Sequence, residues 1–209
     1  MKIAVFGANG KTGALVVQQL LAGGHDVVAV VRGELPAQGK LRVVKGDVTS
    51  GAGVDDAVAG ADGVISCLGA RTMKANTLRS DSARHIVAAM KRHGVKKLAW
   101  LSAAGVGDSR EQAKTGSFVF GYIIMPLFLK ANYADGAVAE EHIKASGLDF
   151  VVVRPVGLND DAAKGGAQAL TIGQNIKHAY IARADVAAFM IGCMTAAQWD
   201  KTTPTLAYG

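Results

Sequence analysis

The apolar residues of this chain fall into short β-branched runs that alternate with longer segments of helical periodicity. The first run covers residues 2–6, and later runs read HDVVAVVR, LRVVKG, DGVISCLG, KKLAWLSA and LDFVVVRP. These runs lack polar alternation, which is typical of strands buried on both faces. Because a helical pattern follows each run, the sequence predicts an α/β fold in which helices cover both faces of a parallel sheet.

The segments between the runs predict the helices and the extent of the domain. Helical patterns cover residues 12–22, 54–59, 80–92, 136–145 and 184–194, and PTLAY predicts a final short strand. Without a repeat or linker, residues 1–209 are expected to form one domain with substrate-side segments at about 105–135 and 156–182. Ligands of parallel sheets bind beyond the carboxyl ends of the strands. Functional residues are therefore expected after Phe6, Val31, Lys45, Cys67, Leu101 and Arg154.

The turn after the first run, GANGKTG at residues 7–13, combines parts of two nucleotide motifs. Gly10-Lys11-Thr12 has the ending of a P-loop, but a P-loop requires a glycine five residues before that step. The residue at that position is Val5, inside the predicted strand. The P-loop interpretation is therefore excluded.

The glycines of this turn instead match a dinucleotide-binding loop. Gly7 follows the strand where the chain must turn sharply, Gly10 lets the backbone approach a pyrophosphate, and Gly13 lets the helix pack closely on the strand. The helix N-terminus attracts phosphate, and Lys11 and Thr12 can add a charge and a hydrogen bond. The turn predicts a Rossmann-type, doubly wound sheet that binds a dinucleotide. A tight turn without a ligand is the alternative.

The end of the second run bears on which dinucleotide is bound. An acidic residue usually binds the free ribose 2′-hydroxyl of NAD at this point, but the run ends in Arg32, whose planar guanidinium suits a 2′-phosphate. The sequence therefore predicts NADP(H) in preference to NAD(H). Two alternatives remain open: Arg32 can be a solvated strand-end charge, and Glu34 can bind the ribose hydroxyl. Asp47 and Val48 lie where the adenine edge is read, unless Asp47 only caps a turn.

Several longer motifs resemble one family. GANGKTG, GDV at 46–48, LGAR at 68–71, ARHIVAAMKRHGVKKLAWLSA, ASGLDFVVVRP and RADVAAFM are similar to atypical short-chain dehydrogenases of the NmrA-like type that bind NAD(P)H. Within that family the similarity is greatest to biliverdin-IXβ reductase/flavin reductase and its bacterial relatives. The resemblance covers residues 2 to about 195 and is weakest over 105–135.

The resemblance implies a set of cofactor contacts. The pyrophosphate contacts would come from Gly7, Asn9, Gly10, Lys11, Thr12 and Gly13. Arg32 would face the 2′-phosphate, Asp47 and Val48 the adenine, and Leu68, Gly69 and Arg71 the central ribose and phosphates. The nicotinamide would be flanked by Ser102 and Ala103, with Pro155 and Val156 over its carboxamide.

The catalytic pattern departs from that of ordinary short-chain dehydrogenases, which use Tyr-x-x-x-Lys on a helix. None of the four tyrosines is followed four residues later by lysine, and Gly136 stands where relatives carry Lys or His. Hydride transfer to a planar conjugated acceptor requires mainly proximity and alignment. Ser102 and Tyr133 are the catalytic candidates, although Ser102 can simply orient the cofactor and Tyr133 can be structural.

These observations predict an NADPH-dependent oxidoreductase whose acceptor is of flavin, bilin or quinone type, with FMN or FAD as possible substrates. The first alternative is a non-catalytic NADP(H) redox sensor. The second is a pathway-specific reductase or isomerase that acts on a small hydrophobic substrate defined by residues 105–135. That apolar segment can line a pocket, form a dimer face or pack as a core helix.

Composition argues against several other classes. The formal charge of +6 is scattered and aromatic residues make up only 6%, so no nucleic-acid partner is expected. The longest apolar stretch, residues 118–129, is shorter than the ~20 residues that span a bilayer. The two cysteines and five histidines lack metal-ligand spacing, which favours reduced thiols and no metal. We expect a cytoplasmic monomer or homodimer.

Overall fold

The computed structural model describes residues 1–69, 74–116 and 130–209. The strands are β1 (Lys2–Phe6), β2 (Asp26–Val31), β3 (Leu41–Lys45), β4 (Gly63–Ser66), β5 (Lys97–Leu101), β6 (Asp149–Pro155), β7 (Gly157–Asn159), β8 (Ala167–Leu170), β9 (Tyr180–Ala182) and β10 (Thr205–Tyr208). The helices are α1 (Lys11–Ala22), α2 (Val54–Val58), α3 (Leu78–Arg92), α4 (Arg110–Gly116), α5 (Lys130–Lys144) and α6 (Arg183–Gly192). No helix in these ranges is long and apolar enough to cross a bilayer.

The main sheet has eight strands in the order β3-β2-β1-β4-β5-β6-β10-β8. All neighbouring pairs are parallel except β10 and β8, and β7 and β9 form a separate parallel pair. The strand order reverses between β1 and β4, as in a doubly wound Rossmann sheet. The predicted α/β fold, with a small addition near the C-terminus, is confirmed.

The core consists of two layers, one on each face of the sheet. Because side chains alternate along a strand, Ile3 and Val5 of β1 pack towards α1 and α6, whereas Ala4 and Phe6 pack towards α2, α3 and α5. Both faces are covered, which explains why the strands read as unbroken apolar runs.

The elements that differ from expectation are short or polar. α5 begins at Lys130 rather than at residue 136, because the side chains of its early residues Asn132 and Asp135 bind the start of α3 and interrupt the apolar pattern. α4 and strands β7, β8 and β9 were not predicted, since segments of three to seven residues are too short to show a clear periodicity.

Candidate cofactor and active site

A cavity of about 740 Å³ lies beyond the carboxyl ends of β1, β2, β3 and β4. Its size is typical of a small-molecule site, and its position is the one at which doubly wound sheets bind ligands. Among the predicted cofactor residues, those that line the cavity are Gly7, Asn9, Gly10, Arg32, Val48, Leu68 and Gly69.

The glycine turn after β1 leaves no room for side chains at two positions. Gly7 has φ +79°, and a Cβ there would lie 2.8 Å from the carbonyl carbon and oxygen of Cys67 on the neighbouring segment. A Cβ at Gly13 would lie 2.1 Å from the carbonyl oxygen of Gly7. The amide of Gly10 donates a hydrogen bond to that same oxygen at 2.9 Å. Gly13 therefore allows α1 to pack directly against the turn.

The N-terminus of α1 is suited to an anion. Within the described part of the chain, no side chain caps it, and its first turn contains no acidic residue. The first N–H groups of a helix have no intrahelical acceptor and carry partial positive charge. Thr12 and Gly13 are buried in this first turn. The ammonium of Lys11 forms an ion pair with Asp160, which also binds Arg183.

Arg32 follows β2 directly and lines the cavity. Its side chain is exposed, and its guanidinium forms no hydrogen bond or ion pair with the residues that the structure describes, although its charge contributes to the lowered pKa of Asp47. After β3, the Asp47 carboxylate accepts hydrogen bonds from the Thr49 hydroxyl at 2.7 Å and the Thr49 amide at 2.9 Å. These bonds hold the pKa of Asp47 below its ordinary value. Val48 is buried, and its carbonyl contacts His85 at 2.9 Å.

The segment after β4 forms the opposite wall of the cavity. Cys67, Leu68 and Gly69 line it, and Cys67 is buried. Burial raises the pKa of the Cys67 thiol to about 12, so this group is a neutral wall residue rather than a nucleophile. The prediction for Arg71 lies outside the described residues.

A buried polar network joins the ends of β5 and β6 to α5. The hydroxyl of Ser102 donates to Oε1 of Glu140 at 2.6 Å, and Nε of Arg154 donates to the same oxygen at 3.1 Å. Nη2 of Arg154 binds Oε2 of Glu140, and Nη1 lies 2.5 Å from Oδ1 of Asp108. Arg154 and Glu140 are 0% and 1% exposed.

The charge of Arg154 is compensated inside the protein. Burial by itself lowers the pKa of Arg154, but Glu140 and Asp108 more than offset this effect, and the pKa lies above its ordinary value. Because the proton of Ser102 is directed at Glu140, the oxygen of Ser102 acts towards any ligand as an acceptor.

Tyr133, the second catalytic candidate, lies on α5 near the end of β5. Its hydroxyl donates to the carbonyl of Ala104 at 3.2 Å. Burial raises the pKa of Tyr133 to about 12, with a smaller opposing effect from the charge of Arg79. Tyr133 is therefore held neutral, and its hydroxyl proton points at the backbone carbonyl of Ala104.

The remaining predicted residues lie at the adjacent strand ends. Ala103 separates Ser102 from Ala104, whose amide donates to the carbonyl of Pro155 at 2.9 Å. The amide of Val156 donates to Leu206 at 3.1 Å. The ends of β5, β6 and β10 are thus fixed to one another, although none of these residues lines the cavity around Gly7.

Sequence reasoning missed the partners of the candidate residues. Glu140 and Arg154 were not identified as site residues, although an arginine inside the apolar run LDFVVVRP is a signal that a buried carboxylate must face it. Arg79 was also missed. Its Cδ lies 3.8 Å from the position of a Cβ at Gly136, and Val106 lies 3.3 Å from that position, so the space at Gly136 is already confined.

The comparisons with known proteins agree with this geometry. Residues 7–197 match a family model described as NAD(P)H-binding. The chain is 30% identical over 181 residues to an uncharacterised chloroplastic protein of Arabidopsis thaliana. The matched region covers 78% of this chain but only 61% of the Arabidopsis protein. It is 26% identical to YhfK of Bacillus subtilis, an uncharacterised sugar epimerase, over 100% of this chain and 92% of YhfK.

Solved structures show the same architecture over the whole chain. ChuY of Escherichia coli O157:H7, described as an anaerobilin reductase, is 25% identical with a TM-score of 0.80 and coverage of 99% of this chain and 97% of ChuY. A short-chain dehydrogenase/reductase of Veillonella parvula in complex with NADP, 18% identical, shares the fold with a TM-score of 0.81 and coverage of 99% and 94%. The family match and these structures confirm the resemblance found in the sequence, and the chain belongs to the NAD(P)H-binding family of Rossmann-fold proteins.

Proposed function

We propose that this protein is an NADPH-dependent reductase that passes hydride to a planar conjugated acceptor of flavin, bilin or quinone type. The observation that carries the proposal is the cavity bounded by the N-terminus of α1 and by Arg32, which forms no ion pair with the described residues, with Ser102 and Tyr133 near the end of β5 at the same edge of the sheet. Similarity to the anaerobilin reductase ChuY supports the acceptor class.

The residues present fit a dinucleotide. A Cβ at Gly7 or Gly13 would meet backbone atoms, so both positions require glycine, and the backbone of the turn stays accessible at Gly10. When bound, the cofactor supplies the hydride. The residues proposed to hold it are Gly7, Asn9, Gly10, Lys11, Thr12, Gly13, Arg32, Asp47, Val48, Leu68, Gly69, Arg71, Ser102, Ala103, Pro155 and Val156.

Arg32 selects the phosphorylated dinucleotide in this proposal. A guanidinium that forms no ion pair or hydrogen bond with the described residues has its whole donor set available for a 2′-phosphate. Asp47 acts less directly, because its carboxylate is already bound to Thr49. We assign Asp47 the role of shaping the turn that presents Val48 to the adenine.

Ser102 and Tyr133 orient the reacting groups rather than transfer protons. The hydroxyl of Ser102 donates its proton in a hydrogen bond to Glu140, and the hydroxyl of Tyr133 donates to the carbonyl of Ala104. The pKa of Tyr133 is also raised to about 12. A conjugated acceptor takes its proton from solvent, so the missing Tyr-x-x-x-Lys pair is no obstacle to this reaction.

The test is NADPH oxidation with a panel of flavins, bilins and quinones, combined with titration of NADPH and NADH into Arg32→Gln. Losing a charged hydrogen bond of about 1.5–3 kcal/mol raises the Kd for NADPH about 10–100-fold. The Kd for NADH stays unchanged. The matched control is Arg42→Gln, since Arg42 lies on β3 and donates to the carbonyl of Asp56 at 2.7 Å.

Two outcomes contradict the proposal. If Arg32→Gln weakens NADH and NADPH equally, Arg32 does not read the 2′-phosphate. If the parent protein binds NADPH tightly but oxidises it with no acceptor of the panel, the redox-sensor alternative replaces the reductase.

A further inference from the structure

Arg79 places a guanidinium between the cofactor cavity and the catalytic candidates. It is the second residue of α3, directly after the cavity residue Leu78. Its Nη1 donates to the carbonyl of Asn132 on α5 at 3.1 Å. Its Nη2 lies 4.0 Å from the position of a Cβ at Gly69, and its Cδ lies 3.8 Å from that of a Cβ at Gly136. The guanidinium therefore bridges the space between the end of β4 and α5.

The backbone of Arg79 is held in place by a carboxylate from α5. Asp135, which is buried, accepts hydrogen bonds from the amides of Arg79 at 2.8 Å and Ser80 at 3.1 Å, and from the Ser80 hydroxyl at 2.5 Å. This carboxylate is engaged with donors at the start of α3 and does not pair with the guanidinium. Asp135 fixes the origin of the Arg79 side chain while leaving its charge available.

The guanidinium of Arg79 lacks a direct counter-charge in the parts of the chain that the structure describes. It forms no ion pair there with a carboxylate, and its Nε is buried without a hydrogen-bond partner. Burial lowers the pKa of Arg79, and the charges of Asp135 and Glu140 oppose this only in part. A desolvated cation without an anionic partner is costly even when a carbonyl accepts one of its hydrogen bonds, and an anion bound beside it would remove much of that cost.

We propose that Arg79 binds an anionic substituent of the acceptor, a carboxylate or a phosphate, and thereby determines which conjugated acceptors are used. This inference rests on the proposed reductase function. Gly69 leaves the space beside the guanidinium open, because the only atom within 4 Å of a Cβ placed there, among the described residues, is Nη2 of Arg79 itself. Tyr133 is close enough to be influenced by the charge of Arg79. Arg32 at the end of β2 is the proposed partner of the cofactor's adenosine end, so among the described residues Arg79 is the guanidinium that we assign to the acceptor side.

The experiment compares acceptors that share a ring system and differ in one anionic group. FMN is paired with riboflavin, and biliverdin with its dimethyl ester. The kcat/KM of the parent protein is expected to be about tenfold or more higher for the charged member of each pair, as for one charged hydrogen bond. Arg79→Gln is expected to reduce this preference to below about twofold, and Arg79→Lys to retain part of it.

Three measurements make the result specific. Arg84→Gln, on the same helix in a surface ion pair with Asp81, is the matched control and keeps the parent preference. The Kd for NADPH stays unchanged in Arg79→Gln. The melting temperature identifies any variant that fails to fold, in which case Arg79→Lys carries the test.

The inference is overturned if Arg79→Gln keeps the preference for charged acceptors. It is also overturned if Arg79→Gln raises the Kd for NADPH instead, because the guanidinium then serves the cofactor phosphates. The same preference can be measured without turnover by titrating FMN and riboflavin into the NADP⁺-loaded protein and monitoring flavin fluorescence. If the parent protein turns over none of the acceptors, the reductase function is refuted. Even then, tighter binding of FMN than of riboflavin that is lost in Arg79→Gln would support the anion site.

Discussion

Glu140→Gln is the substitution that most directly tests the buried network behind the candidate active site. Glu140 is 1% exposed and receives hydrogen bonds from Ser102 and Arg154. Glutamine preserves the shape of the side chain but removes its charge. Arg154, which is 0% exposed, then keeps Asp108 as its remaining anionic neighbour in the described structure.

The expected cost follows from this burial. Removing one partner of a buried ion pair destabilises a protein by about 3–5 kcal/mol, because the other charge stays desolvated. Asp108 still offsets part of the Arg154 charge, so we expect the lower limit, about 3 kcal/mol. For a chain of this size each kcal/mol lowers Tm by roughly 2–4 °C, which gives a fall of roughly 6–12 °C.

The assay is thermal and denaturant unfolding of Glu140→Gln beside Glu141→Gln. Glu141 is the neighbouring residue on the same helix, but its side chain is 75% exposed and lies 3.4 Å from the ammonium of Lys144. Such surface pairs contribute less than about 1 kcal/mol, so the control is expected to unfold almost like the parent. If both variants lose the same small amount of unfolding free energy, the Glu140–Arg154 pair is solvated and the expected cost of about 3 kcal/mol is wrong.

Two further predictions concern the glycine turn and the acid limit of stability. Gly13→Ala places a methyl group 2.1 Å from the Gly7 carbonyl oxygen and is expected to cost about 1–3 kcal/mol and weaken NADPH binding. Gly192→Ala, at the end of α6 with no described atom within 4 Å, is expected to be neutral, and equal Tm values for the two variants would contradict this prediction. Hydrogen bonds from Tyr208 and two backbone amides outweigh the effect of burial and hold the pKa of Asp185 below its ordinary value. The stability that Asp185 contributes is therefore complete above the unfolded pKa of about 3.9 and lost as pH falls through the folded pKa. The gap in unfolding free energy between the parent and Asp185→Asn should narrow from pH 6 to about pH 3, and a constant gap would refute this assignment.

The architecture could be predicted from the sequence because the information is local. Strands β1 to β6 appear as apolar runs, and the helices between them show a clear period, so the strand order and the position of the site follow from general rules. The need for Gly13 is equally local, because the Gly7 carbonyl approaches it within the same turn, whereas Gly7 is needed because the backbone of Cys67 on a distant segment approaches it.

The polar contacts at the ends of β5 and β6 and at the start of α3 could not be predicted because they join distant segments of the chain. Asp135 binds the amide of Arg79 across 56 positions, and Ser102 meets Glu140 across 38. Neither pairing leaves a pattern in one segment. Polar residues of α5 that face α3 instead weaken the helical signal, which is why the start of that helix was misplaced by the sequence.

The cations of this edge of the sheet differ in how their charge is compensated, and this difference identifies the ones available to ligands. Arg154 is enclosed by Glu140 and Asp108, and Lys11 pairs with Asp160 at the surface. Arg32 and Arg79 form no ion pair with the residues that the structure describes. For Arg79, which is partly buried, a missing counter-charge is costly, and a bound anion would remove much of this cost. Arg32 is exposed, so its charge costs little to keep and stays accessible to a ligand. In the proposed reductase, Arg32 serves the phosphorylated end of the cofactor and Arg79 the anionic group of the acceptor.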